Sequence, residues 1–465
     1  MHMFENEDEF FDLPDLLHRY EEMVREGTEY FFDVEEYEML SGFLFDTGQT
    51  QKALQLVRQG IRQHPVAPEL MVKRVRFLTT INKLKEADKE VDKLESLIPG
   101  SYDLFVARGL LYSKRSQHQK AIRFFKEALP QAEFPEDVWG LLAIEYQFTG
   151  NYRLAIRYLK RILEVNPYDE MSLYNLALCY DLMGSTEAGI EFMKDFIDGN
   201  PYNEIAWYQL GMLQSKNQQF AEAAQSFDYA IVIDEFFSAA YLEKADMQQQ
   251  NFEFAEAIKT YQQSIEIDGA TGYVYYLIAL NYLKLHRPVK AESYLRQAIN
   301  EEPDLDEAYY ELALLHDENK SWDEAVYHIG KAVEMDAENW DYLYASAEIY
   351  KRAGRLNEAE VVFNDLIQLG YIDPQIFIDY AELLFDLCEF KMGMDLLYQG
   401  VQLNPEASEI MYRLAGYLYT LQENDEADIY LKKALQLAPQ RRVGFFVLFP
   451  KLKNNPHITK ILAEA

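Results

Sequence analysis

Twelve residues spaced 34 apart are all alanine or glycine: Ala53, Ala87, Ala121, Ala155, Gly189, Ala223, Ala257, Ala291, Ala325, Ala359, Gly393 and Ala427. No insertion or deletion separates the first from the last. A second column in the same phase is also small, with Gly109, Ala143, Ala177, Gly211, Ala245, Ala279, Ala313, Ala347, Ala381 and Ala415, and only Ser41 and Val75 depart from Ala or Gly. A fixed period of this length is the mark of a chain built from stacked repeats rather than from one globular core.

With Glu204 as position 1, Trp207 stands at 4, Leu210 at 7, Gly211 at 8, Ala223 at 20, Phe227 at 24 and Ala230 at 27. Positions 4, 7, 8 and 11 follow the i, i+3, i+4, i+7 spacing of one helix stripe. Positions 20, 24 and 27 make a stripe on a second helix. Small residues at 8 and 20 let the two axes approach, and large residues at 4 and 24 fill the space beside them. Gly48, Gly150, Gly184 and Gly354, at position 15, suit the turn between the helices. Proline at position 32 (Pro65, Pro99, Pro167, Pro201, Pro303, Pro405 and Pro439) stops the second helix. One such pair cannot bury its own apolar face, so neighbours must stack.

This pattern resembles the tetratricopeptide repeat (TPR) family over Val34 to Arg441. The resemblance implies an all-α, right-handed α-solenoid, or superhelix, of about twelve helix-turn-helix units. Twenty-four repeat helices are expected, with a capping helix at each end. The repeats start at Val34, Pro68, Tyr102, Glu136, Glu170, Glu204, Ser238, Gly272, Asp306, Trp340, Pro374 and Ser408. Some columns are irregular. Position 32 departs at Glu133, Glu235, Gly269, Ala337 and Tyr371, and position 27 is large at Leu94, Ile162, Phe196 and Leu366.

Three segments follow: an acidic tail and capping helix over 1–33, the solenoid over 34–441, and a C-terminal cap over 442–465. Residues 1–12 read as a mobile acidic tail. Leu13 to Glu26 reads as an amphipathic helix with Arg19 where a repeat would have its small residue. Phe445, Phe446 and Phe449 read as a cap over the last repeat, followed by a short helix from His457 to Ala463. The rival reading is a docking or dimerisation element, because three phenylalanines in five residues make a large apolar area.

The chain has 78 acidic and 44 basic residues, a formal net charge of −34. A nucleic-acid binder needs a basic surface, so the charge argues against that role and against anionic lipid. The charge is uneven. Residues 166–410 carry 45 Asp/Glu against 14 Lys/Arg, whereas repeats two and three are rich in Lys73, Arg74, Arg76, Lys83, Lys85, Arg108, Lys114 and Arg115. Two cysteines in different repeats, Cys179 and Cys388, form no disulfide framework. The N-terminus lacks the basic and apolar regions of a signal peptide, and no apolar run is long enough to span a bilayer. A cytoplasmic location is the expectation.

No phosphate-binding loop, dinucleotide motif or nucleophile elbow is present. No enzyme activity, cofactor or metal is expected. His316 and His328 stand twelve apart and read as one core and one surface histidine, too few ligands for a metal.

The remaining candidates are positions that the core does not use. The family resemblance implies that positions 2, 5, 9, 12 and 13 of the first helices line a concave groove. Position 5 holds Tyr174, Tyr208, Tyr276, Tyr310 and Tyr344; position 9 holds Leu178, Met212, Leu280 and Leu314. Tyrosine combines apolar area with one hydroxyl, as recognition surfaces require. The same rings also suit packing between first helices, so both readings stand here. The lysine at position 5 and asparagine at position 9 of chaperone-clamping TPR domains are missing, as is the asparagine ladder of glycosyltransferase-type arrays. The expected function is a protein-binding scaffold or adaptor that takes a basic-plus-apolar peptide segment or helix in its groove. The alternative is a structural subunit of a larger assembly or homo-oligomer.

Overall fold

The structure is a computed structural model that describes residues 13–464. The acidic tail of residues 1–12 lies outside the described residues. Those described form 27 α-helices and three 3-10 turns, with no strand. Twenty-four helices are the two helices of twelve repeats. Eleven first helices begin on the residue that the register predicts. The fourth starts one residue early, at Pro135, because proline at the first helical position loses no hydrogen bond that a helix start would make.

The core is the set of columns read from the sequence. All twelve alanines and glycines of position 20 are buried, and so is every residue of position 8. Position 24 is buried throughout, with Phe125, Phe227 and Phe363 fully covered. In two repeats glycine at position 8 makes the room that phenylalanine at position 24 fills. A Cβ on Gly109 would lie 2.2 Å from Phe125 Cε1, and one on Gly211 would lie 2.7 Å from Phe227 Cε1. The large residues at position 27 fit the same core, since Leu94 and Leu366 are fully buried.

The turn inside each repeat has one conformation. Position 15 adopts positive φ in all twelve copies: four glycines, and eight other residues between 54° and 67°. The reason is the way the first helix ends. The position 16 N–H reaches back to the carbonyl of position 11, as in Gln49 to Leu44 and Lys83 to Leu78, both 2.8 Å. This 6→1 bond requires a left-handed residue beside it. At Phe252, Lys320 and Cys388 a side chain is held there at a cost of about 1 kcal/mol each.

The chain divides into two compact units at Asn251–Phe252. In the first, Leu13–Glu26 buries Leu16, Tyr20 and Met23, and Arg19 pairs with Glu36. In the second, a seven-residue helix, Arg442–Leu448, follows the last repeat. Phe445 is 1 % exposed, and Phe449 lies over Gly416 so closely that a Cβ there would clash with its ring. A final helix, Pro456–Glu464, buries Ile458, Ile461 and Leu462.

Candidate partner groove

The first helix of each repeat buries positions 7 or 8 on one side and turns position 5 partly away from that core. In the first unit Tyr174 and Leu178 are exposed, at 55 % and 36 %. Tyr208 and Met212 are half-buried and rest on Ala223 and Phe227. The Tyr208 ring lies 5.4 Å from Phe227 and 5.0 Å from Phe237. Burial, and next Glu243, push its hydroxyl up to about 12. Burial also raises the carboxyl of Glu243, with Asp246 adding to the effect.

In the second unit Tyr276, Leu280, Tyr310, Leu314 and Tyr344 are all half-buried. Tyr276 lies 6.1 Å from Tyr273, and Tyr310 lies 5.0 Å from Tyr342. Burial raises the hydroxyl of Tyr276, with Glu311 and Glu307 next, and that of Tyr310, with Asp341 next. Tyr344 is tied down further. Its hydroxyl donates to Asp379 Oδ2 at 2.5 Å, and its ring packs edge-on against Trp340 at 5.0 Å.

Position 5 is not uniformly open. Val106, Ile378 and Tyr412 are buried. Tyr412 donates to Ala438 O at 3.0 Å and lies under Phe445, so the C-terminal helix covers the last such position.

The acidic residues divide into two kinds. Glu348 and Glu382 are matched by Lys351, Arg352 and Arg413. Glu243 in the first unit and Glu307, Glu311 and Asp341 in the second make no ion pair among the described residues. Burial raises the carboxyls of Glu307 and Glu311.

Two features of this face escaped the sequence reading. A cavity of about 530 Å³ opens in the first unit beside Gly140, Ile144, Met171 and Asn175, with Arg76 on one wall and Asp137 on another. Gly140 is the one glycine in column 5, and its missing side chain would have been the signal. A smaller cavity of about 380 Å³ in the second unit is lined by Ile378, Tyr412, Arg413 and Phe445.

One expectation is corrected. His328 is not at the surface. It and His316 are both 8 % exposed, with rings stacked 5.4 Å apart and 7° from parallel. The helical stripe places His328 at position 23, beside the buried column 24. Burial, and next His316, lower its pKa from 6.5 to about 4, so the neutral form is held. Among the described residues no group of three or more potential ligands gathers to hold a metal. No helix there is long and apolar enough to cross a membrane.

Comparison with known proteins agrees with this architecture. One tetratricopeptide repeat family model matches residues 141–204 and 276–332, and a second matches 238–271 and 408–441. The chain belongs to the tetratricopeptide repeat family. TPR proteins bind protein or peptide partners.

A curated relative, anaphase-promoting complex subunit 3 of Schizosaccharomyces pombe, is 21 % identical over 155 residues, which are 33 % of this chain. The match spans only 23 % of that relative's length. Among solved structures, YrrB, described as a TPR protein with an unusual peptide-binding site, is 19 % identical with a TM-score of 0.33, covering 38 % of this chain and 92 % of its own. The APC/C hetero-tetramer Cut9–Hcn1 is 14 % identical with a TM-score of 0.37, covering 86 % and 92 %.

Proposed function

We propose that this TPR protein is a non-enzymatic scaffold that binds a basic-plus-apolar protein segment along its first helices. Each unit carries its own stretch of contacts: Tyr174, Leu178, Tyr208 and Met212 in the first, and Tyr276, Leu280, Tyr310, Leu314 and Tyr344 in the second. The observation that carries this reading is the partial exposure of large apolar side chains at two positions in phase with the core. The core columns beside them are closed. Positions 5 and 9 keep surface that a partner would cover.

Tyrosine rings supply affinity at such surfaces. The unmatched carboxylates Glu243, Glu307 and Glu311 favour a cationic segment and speed its association. A net charge of −34 supports a protein partner over a nucleic acid. The test is Tyr208→Ala with Tyr276→Ala on the full chain, measured against a captured partner. Dissociation should quicken about tenfold or more, with association little changed. An unchanged affinity would mean that the rings only pack between helices.

A second reading, a subunit held within a larger assembly, is favoured by the outer face of the Arg442–Leu448 helix. Val443 and Val447 there are 78 % and 76 % exposed. The yeast relative is named as a subunit of such a complex. Light scattering on the purified protein separates the two. A monomer with a peptide partner supports the adaptor, and a stable oligomer supports the subunit.

A further inference from the structure

Position 33 lies in the connection between one repeat and the next, outside the core columns and outside positions 5 and 9. In the first unit it is aromatic in four successive repeats: Phe134, Tyr168, Tyr202 and Phe236. Their exposures are 60, 59, 77 and 72 %. In the second unit the same position is Ala270, Asp304, Glu338, Ile372, Glu406 and Gln440.

The turn itself does not require an aromatic residue. In connections of both units position 34 donates its N–H to the carbonyl of position 31, Asn203 to Asn200 at 3.2 Å and Leu305 to Glu302 at 3.2 Å, while Pro135, next to Phe134, has no N–H to give. Asp304 therefore serves the same backbone as Tyr202. None of the four rings stacks on another ring among the described residues, so packing does not account for them either. Exposed aromatic rows of this kind mark interaction surfaces.

Adjacent rungs are neighbours in space. Asn203 Nδ2 donates to Pro167 O at 2.9 Å and so joins the connection bearing Tyr202 to the one bearing Tyr168. Each of the first three rings is followed two residues later by a glutamate: Glu136, Glu170 and Glu204. These glutamates make no ion pair among the described residues. An exposed ring beside an unmatched carboxylate is a setting for an arginine or lysine side chain, which the ring face and the carboxylate both attract.

We propose that the edge of repeats four to six, through Phe134/Glu136, Tyr168/Glu170 and Tyr202/Glu204, is a second binding surface for a cationic protein segment, separate from the groove. Charge chooses the occupant. An anionic membrane would meet like charge, whereas a segment with repeated arginine or lysine meets one ring and one carboxylate per repeat. The proposal does not depend on the groove reading.

The test uses the full-length protein and a labelled short oligo-arginine peptide at physiological salt. Phe134→Ser, Tyr168→Ser and Tyr202→Ser are combined in one variant that leaves the charge unchanged. Binding should weaken about tenfold or more, since three cation–π contacts are lost. Glu136→Gln, Glu170→Gln and Glu204→Gln together should weaken it similarly. Made in a Tyr208→Ala, Tyr276→Ala background, the same three serine changes should weaken binding by the same factor, which keeps this surface distinct from the groove. Circular dichroism confirms that each variant stays folded. Equal affinity for the wild-type protein and the aromatic variant would overturn the proposal, because binding would then follow from diffuse charge alone. So would an equal loss on changing Asp304 and Glu338 to Ser in the second unit.

Discussion

The two units share one repeat and use its surface differently. In the first, the column 5 residue Tyr174 is open and the edge carries Tyr168 and Tyr202. In the second, Tyr344 is bonded to Asp379, Tyr310 lies against Tyr342, and the edge carries Asp304 and Glu338. The core columns are the same in both: Ala223 and Phe227 in one, Ala359 and Phe363 in the other, all fully buried. Close packing fixes the columns where helices touch. Positions that touch nothing essential are free to diverge, and the difference between the units is written there.

The largest blow to this comparison would come from the column that the units share. Gly211→Leu drives a branched side chain into the Phe227 ring, which already leaves no room for a Cβ. It should cost roughly 3 kcal/mol or more. Repeat stability is set by nearest neighbours. Hydrogen exchange should therefore quicken around residues 204–250 and leave the repeats beyond Trp340 protected. Uniform loss along the chain would mean that the units do not unfold separately.

A smaller effect tests whether the tyrosines of the two units differ in kind. Tyr344→Phe removes a hydroxyl that donates to a carboxylate, worth about 1.5 kcal/mol or more. Tyr174→Phe, at an exposed ring, should change stability by less than about 0.5 kcal/mol. Urea unfolding of both variants gives the comparison. Equal losses would erase the distinction between a tethered and a free tyrosine in column 5.

The smallest effect at neutral pH belongs to His328. Its pKa falls from 6.5 to about 4 in the folded chain, because burial disfavours the charged ring. The unfolded state binds the proton first as pH falls, so stability is lost between about pH 6.5 and pH 4. The charged and titratable groups around the ring are His316, Arg296, Glu292, Glu324, Tyr309 and Tyr327. His328→Leu should flatten the melting temperature of the second unit across that window and change it little above pH 7. An unaltered slope would assign the acid sensitivity to carboxylates instead.

Much of this was legible in the chain. Ala53 to Ala427 at one spacing specified the helix pairs, and the first helices begin within one residue of the register. That worked because a contact between two helix axes accepts only a small side chain, so composition at positions 8 and 20 reports geometry directly. Gly48 and Gly150 likewise announced the left-handed turn. At Phe252 and Lys320 the same turn had no glycine to reveal it, since the helix-ending hydrogen bonds outweigh the local strain. His328 was misjudged because one position of helical rotation separates a buried from an exposed face.

The sequence by itself determined the repeat, its number, its core columns and the sign of its charge, all consequences of periodicity and composition. Only the tertiary structure decided what the remaining positions do. Column 5 holds tyrosine in Tyr174, Tyr344 and Tyr412 alike, yet the first is exposed, the second is bonded to Asp379, and the third is covered by the C-terminal helix. Exposure depends on which neighbour arrives above a residue, and that neighbour lies about one repeat away in the chain. The physical reason for the division is that packing between helices repeats with the sequence, while the surface left over depends on what each repeat's neighbours leave uncovered.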